Sequence, residues 1–131
     1  MLVDPATATR IADAASHDGV PVFVLDTDGQ YGKTALFDAI RSTCPLDPPL
    51  GHFRDVWDAL ADSLFGGIDR LGADAAVIVW TGASAFRENA ETDYTIALEI
   101  FNDLTQQLAD PDISAEKPTK LTVYLDTAPA R

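Results

Sequence analysis

The chain has one cysteine, Cys44, among its 131 residues. No internal disulfide can form, which excludes the stapled framework of a small oxidised extracellular domain and makes a cytoplasmic address the expectation. Long apolar runs are also missing, since nothing approaches the roughly 20 residues of a membrane-spanning helix. The start, Met1-Leu2-Val3-Asp4-Pro5, has neither the basic residues nor the apolar stretch of a secretory signal, so none is expected. Basic residues are scarce: 9 Lys and Arg stand against 21 Asp and Glu, a formal net charge of −12. Such a surface repels phosphate backbones and anionic lipid, which argues against direct binding to nucleic acid or membrane. It attracts a cationic partner instead. Histidine is limited to His17 and His52. Neither stands at ligand spacing from Cys44 or an acidic cluster, so no metal, cofactor or thiol nucleophile is expected.

Apolar residues make up 47% of the chain and charged residues 23%, ordinary for a globular fold. The length suits a single domain spanning 1–131, with a helical extension at 1–19, a core at 20–126 and a loose tail at 127–131. Asp4-Pro5 is an N-cap followed by proline at the first helical position. Ala8, Ile11, Ala12 and Ala15 share one face before a stop at Gly19. Val20–Leu25 is a short β-branched run closed by Asp26-Thr27-Asp28-Gly29, a buried strand and its turn. Leu36, Phe37 and Ile40 mark a helix over 34–43, ended by Pro45.

The turn Asp47-Pro48-Pro49-Leu50-Gly51 introduces a helix expected from His52 to Leu71. Phe53, Trp57, Leu60, Leu64, Ile68 and Leu71 fall on one face at ~100° per residue, and Asp55, Asp58, Asp62 and Asp69 on the other. Gly66-Gly67 is expected to loosen it or end it early. Ala75–Trp80 is a second strand, 84–89 a short helical turn, and 91–108 a helix with Tyr94, Ala97, Phe101, Leu104 and Leu108 on its apolar side. Residues 110–118 read as a loop, and Leu121–Leu125 as the last strand. Short apolar strands separated by helical stretches imply an α/β fold with a small three-stranded parallel sheet and helices packed on it.

The segment Gly51-His52-Phe53-Arg54-Asp55-Val56-Trp57-Asp58-Ala59-Leu60 resembles the barstar family. That family carries a Pro–aromatic–Gly turn, an Asn-containing helix start and an Asp-Ala-Leu-Trp-Asp-Ala-Leu core. The order of elements around it fits from Val20 to Asp126. The resemblance implies a cytoplasmic monomer that inhibits a basic ribonuclease or related toxin, as an immunity protein without cofactor or catalysis. By position it makes Trp57 and Asp58 the tryptophan and aspartate that meet the nuclease, and puts Asp103 where the family has a glutamate. Physically, a carboxylate on a helix surface mimics the phosphate that a ribonuclease's Arg, Lys and His would bind. Asp55 and Asp62 flank Asp58 at helical spacing, which makes an acidic cluster. His52 at the helix start completes the expected contact set. The chain departs from the family at Leu50, His52 and Arg54, all on the binding edge, so the target is expected to differ from the founding nuclease. A partner other than a nuclease is a further alternative.

Val24-Leu25-Asp26-Thr27-Asp28-Gly29 offers a rival. It resembles the nucleophile loop of haloacid-dehalogenase-type phosphatases, with Asp26 as nucleophile, Asp28 as acid–base and Mg²⁺ as cofactor. Gln30 stands where that family has threonine, and no late acidic pair follows a suitable strand. The same loop fails as a calcium site, because Tyr31 replaces the glycine and Phe37 the last carboxylate. Asp and Gly after a strand are also what a plain turn requires.

Overall fold

In a computed structural model, residues 1–51, 55–114 and 117–127 are described. The elements run β1 (Leu2–Val3), α1 (Pro5–His17), β2 (Val22–Asp26), α2 (Lys33–Thr43), α3 (Trp57–Asp69), β3 (Ala75–Thr81), α4 (Ala83–Asn89), α5 (Glu91–Ala109) and β4 (Lys120–Asp126). All strand pairings are parallel, in the order β1-β4-β3-β2. The sheet therefore has four strands, not the three expected. Leu2 and Val3 add an edge beside Leu125 and Asp126, and the Val3 carbonyl accepts the Thr127 N–H at 2.7 Å. Thr127 is thus tied to the sheet, and 128–131 of the expected tail lie outside the described residues.

Alternation along the strands divides the core in two, because successive side chains point to opposite faces. Ala76, Ile78 and Trp80 of β3 join Leu25, Leu121 and Leu125 in a cluster with the buried faces of α2, α3, α4 and α5. Val77 and Val79 point the other way, against Ala8, Ile11, Ala12 and Ala15 of α1. With both faces covered, β3 is apolar almost throughout. Asp4 caps α1, its carboxylate accepting the Thr7 N–H at 2.8 Å. Bonds from Thr7 hold that carboxyl below its ordinary range.

The helix expected from His52 begins at Trp57, with Val56 extended at its N-cap; Asp55 lies before it and 52–54 lie outside the described residues. The glycine pair does not end α3, which runs on to Asp69. Instead it admits the preceding turn: a Cβ on Gly66 would lie 2.1 Å from the Asp47 carbonyl oxygen, and one on Gly67 2.0 Å from that of Pro45. Leu71 falls past the helix and is exposed, and Asp69 departs from the solvent face on which its spacing put it. Asp69 is buried and accepts a hydrogen bond from the Ser114 hydroxyl, because the chain after α5 folds back over the end of α3. Leu60, Leu64 and Ile68 are fully buried, each stabilising the fold by about 1.5–3 kcal/mol.

Candidate functional site

The first two turns of α3 carry Trp57, Asp58 and Asp62. Asp58 and Asp62 are exposed and one turn apart, so two carboxylates share one strip of helix surface. Asp58 lies in the first turn, where the positive end of the helix dipole favours an acidic side chain. Neither carboxylate accepts a hydrogen bond within the chain among the described residues. Both remain able to receive donors from outside.

Trp57 sits between core and surface. Its ring meets Phe37 of α2 edge-on, with centroids 5.2 Å apart, and Lys33 Nζ lies 5.6 Å from its centroid. It is half-buried and packs against the core cluster at the start of α3.

Asp55 does not share the helical strip with Asp58 and Asp62. It precedes α3, and both its oxygens are engaged: Oδ1 accepts from Arg41 at 2.7 Å and Oδ2 from the Thr34 hydroxyl at 3.0 Å. The Arg41 guanidinium, first among several partners, holds this carboxyl below its ordinary range. Arg41 also donates to the Gly51 carbonyl at 2.8 Å and to Asp38 at 3.0 Å. Its side chain is only 8% exposed. One buried cation thus ties α2 to both ends of the segment that leads into α3. Sequence reasoning missed Arg41, and the only local signal was a basic residue in the last turn of a helix ahead of a proline-rich turn.

The turn at 45–51 is held from its other side as well. Asp47 donates its N–H to the Ser63 carbonyl at 3.0 Å and its carboxylate pairs with Arg70 at 2.6 Å. Asp103 is exposed on α5, which packs alongside α3, so it belongs to a neighbouring element rather than to the Asp58–Asp62 strip. His52 lies outside the described residues.

The loop after β2 has a structural arrangement of its own. Asp26 Oδ1 accepts the Asp28 N–H at 3.0 Å, an Asx turn. Thr27 is buried and accepts from Trp80 Nε1 at 2.8 Å. Asp28 lies against Gly82, where a Cβ would come within 2.7 Å of its carboxylate, and the Gly82 and Ala83 N–H groups donate to Asp126. Among the described residues, no three Asp, Glu, His or Cys side chains converge as a metal site would require.

Compared with known protein families, residues 20–126 match the model described as Barstar (barnase inhibitor). Neither the curated proteins nor the solved structures contain a match.

Proposed function

The chain belongs to the barstar family, and from that premise we propose that it binds and blocks a basic ribonuclease, as an immunity protein of the cell that makes it. The observation that carries this reading is the exposed Asp58–Asp62 strip at the start of α3, on a chain of net charge −12. A ribonuclease cleft concentrates cationic side chains around the phosphate it cleaves. A carboxylate presented on a rigid helix end replaces that phosphate with charge-assisted hydrogen bonds, and the opposed fields speed encounter.

In this reading Asp58 faces the catalytic cations and Asp62 adds charge one turn on. Trp57 gives part of its face to the partner and the rest to Phe37. Asp103 reaches the same partner from α5, and His52 contributes from the segment ahead of the helix. Asp55 acts through Arg41, holding the approach to α3 in place. Inhibition needs no cofactor and no chemistry from the inhibitor. The test is titration of the protein into assays of small secreted basic ribonucleases, first one encoded beside it. Stoichiometric inhibition that weakens with salt supports the reading, and a panel left fully active refutes it.

A further inference from the structure

Next to the acidic strip lies an open groove of about 570 Å³, walled by Pro48, Pro49 and Leu50 on one side and Val56 and Ala59 on the other, with Asp62 also lining it. We propose that this groove receives a bulky apolar side chain, aromatic or leucine-like, from the cationic protein that docks on α3, with a basic group beside it paired to Asp62. The assignment rests on the reading of α3 as the partner-binding helix, and adds what the partner must insert.

Three observations carry it. The groove is built before any partner arrives. Its proline wall is pinned to α3 by the Asp47–Ser63 hydrogen bond, by the Asp47–Arg70 ion pair and by the close seating of Pro45 and Asp47 on Gly67 and Gly66. Arg41 holds the Gly51 end through its carbonyl. A preformed wall spares a ligand the cost of ordering it.

The lining is apolar apart from Ser63 and one ionisable residue, Asp62. A polar insert would lose water there without finding partners, whereas an apolar body carrying a positive charge at its edge satisfies both parts of the surface. Val56 stands 42% exposed at the rim and would be covered by such an insert. Charge complementarity selects the partner, since Asp58 and Asp62 are exposed side by side on a chain of net charge −12. The groove is open, not enclosed, so it covers only part of a free small ligand and holds one weakly but saturably. It suits a side chain delivered by a protein surface already held by the acidic strip.

The probe is phenethylammonium, followed by amide chemical shifts of the ¹⁵N-labelled full chain, with phenethyl alcohol and methylammonium as the neutral and non-aromatic controls. The expected result is saturable shifts at Val56, Ala59 and Ser63, with binding at least threefold weaker for phenethyl alcohol and for Asp62→Asn. Ala59→Phe, which fills the groove, should abolish the shifts, and Ala59→Leu serves if the larger side chain lowers the unfolding midpoint. Shifts that survive a filled groove, that lie elsewhere, or that methylammonium reproduces overturn the assignment. Ribonuclease inhibition by Ala59→Phe and Asp58→Ala, measured in parallel, separates the two readings. Loss in both supports both, and loss in Asp58→Ala alone overturns the groove while leaving the inhibitor. Should the wild-type chain inhibit no ribonuclease, the inhibitor reading falls and the amide titration still decides the groove.

Discussion

Replacing Arg41 by methionine keeps much of the side chain's bulk but removes three charge-assisted hydrogen bonds, to Asp55 at 2.7 Å, the Gly51 carbonyl at 2.8 Å and Asp38 at 3.0 Å. The Asp38 pair contributes little, because that carboxylate is 59% exposed and solvent screens it. The other two join a guanidinium that is 8% exposed to an acceptor on each side of the segment before α3. Hydrogen bonds to a charged group contribute about 1.5–3 kcal/mol each. Solvent at Asp55 and the apolar packing of the new methionine both lower the sum, so a loss of about 2–3 kcal/mol is expected. Urea unfolding at neutral pH should then show a midpoint about 1–2 M lower for Arg41→Met. The pH dependence has a definite sign. Asp55 has a folded pKa below its ordinary value of 3.8, chiefly through Arg41, so its contribution is present above that value and is lost as pH falls through the folded pKa. The gap between wild type and variant should therefore narrow below about pH 4. An Arg41→Met protein within about 0.5 kcal/mol of wild type at pH 7, or an equal gap in acid, would refute the clamp.

Gly67→Ala is expected to destabilise by about 3 kcal/mol in the same unfolding assay, since its Cβ would lie 2.0 Å from the Pro45 carbonyl oxygen; a gain of up to ~1 kcal/mol, as helix propensity alone dictates, would contradict the close approach. Trp80→Phe should cost about 2–3 kcal/mol by leaving the buried Thr27 hydroxyl without its indole donor, and a change under ~0.5 kcal/mol would show that bond to be dispensable. Burial pushes the Cys44 thiol up to about 11, so a disulfide thiol reagent at pH 8 should label it slowly in the native protein and rapidly in denaturant, with fast native labelling contradicting its packing.

Elements whose signals are local were legible in the sequence. The apolar stretch Ala75–Trp80 and the spacing of Tyr94, Ala97, Phe101, Leu104 and Leu108 foreshadow the observed elements within a residue or so, and the run Val20–Leu25 starts two residues ahead of β2. The failures arise where distant contacts override a periodic pattern. Asp55 continues the acidic spacing of Asp58 and Asp62, yet Arg41 and Thr34 hold it outside α3 from 14 and 21 residues away. Gly66-Gly67 has the composition of a helix end, but the helix continues because the turn at 45–47 seats on it. Two residues, Leu2 and Val3, are too few to show a strand's alternation, so the fourth strand was visible only once β4 offered its edge. Asp58 stood out because a family motif surrounds it, whereas Arg41 belongs to no motif and is meaningful only through what it touches.

That α3 presents a phosphate-mimicking carboxylate to a basic ribonuclease is decided by calorimetric titration of wild type and Asp58→Ala against a small basic ribonuclease that the wild-type chain inhibits. Truncating one member of a desolvated charge pair costs about 2–5 kcal/mol, a range drawn from interfaces in general, this family's founding complex included, and not from this structure. Asp58→Ala is expected to weaken binding by at least about 30-fold while its unfolding midpoint stays unchanged. Binding within about 1 kcal/mol of wild type, roughly fivefold, would contradict it.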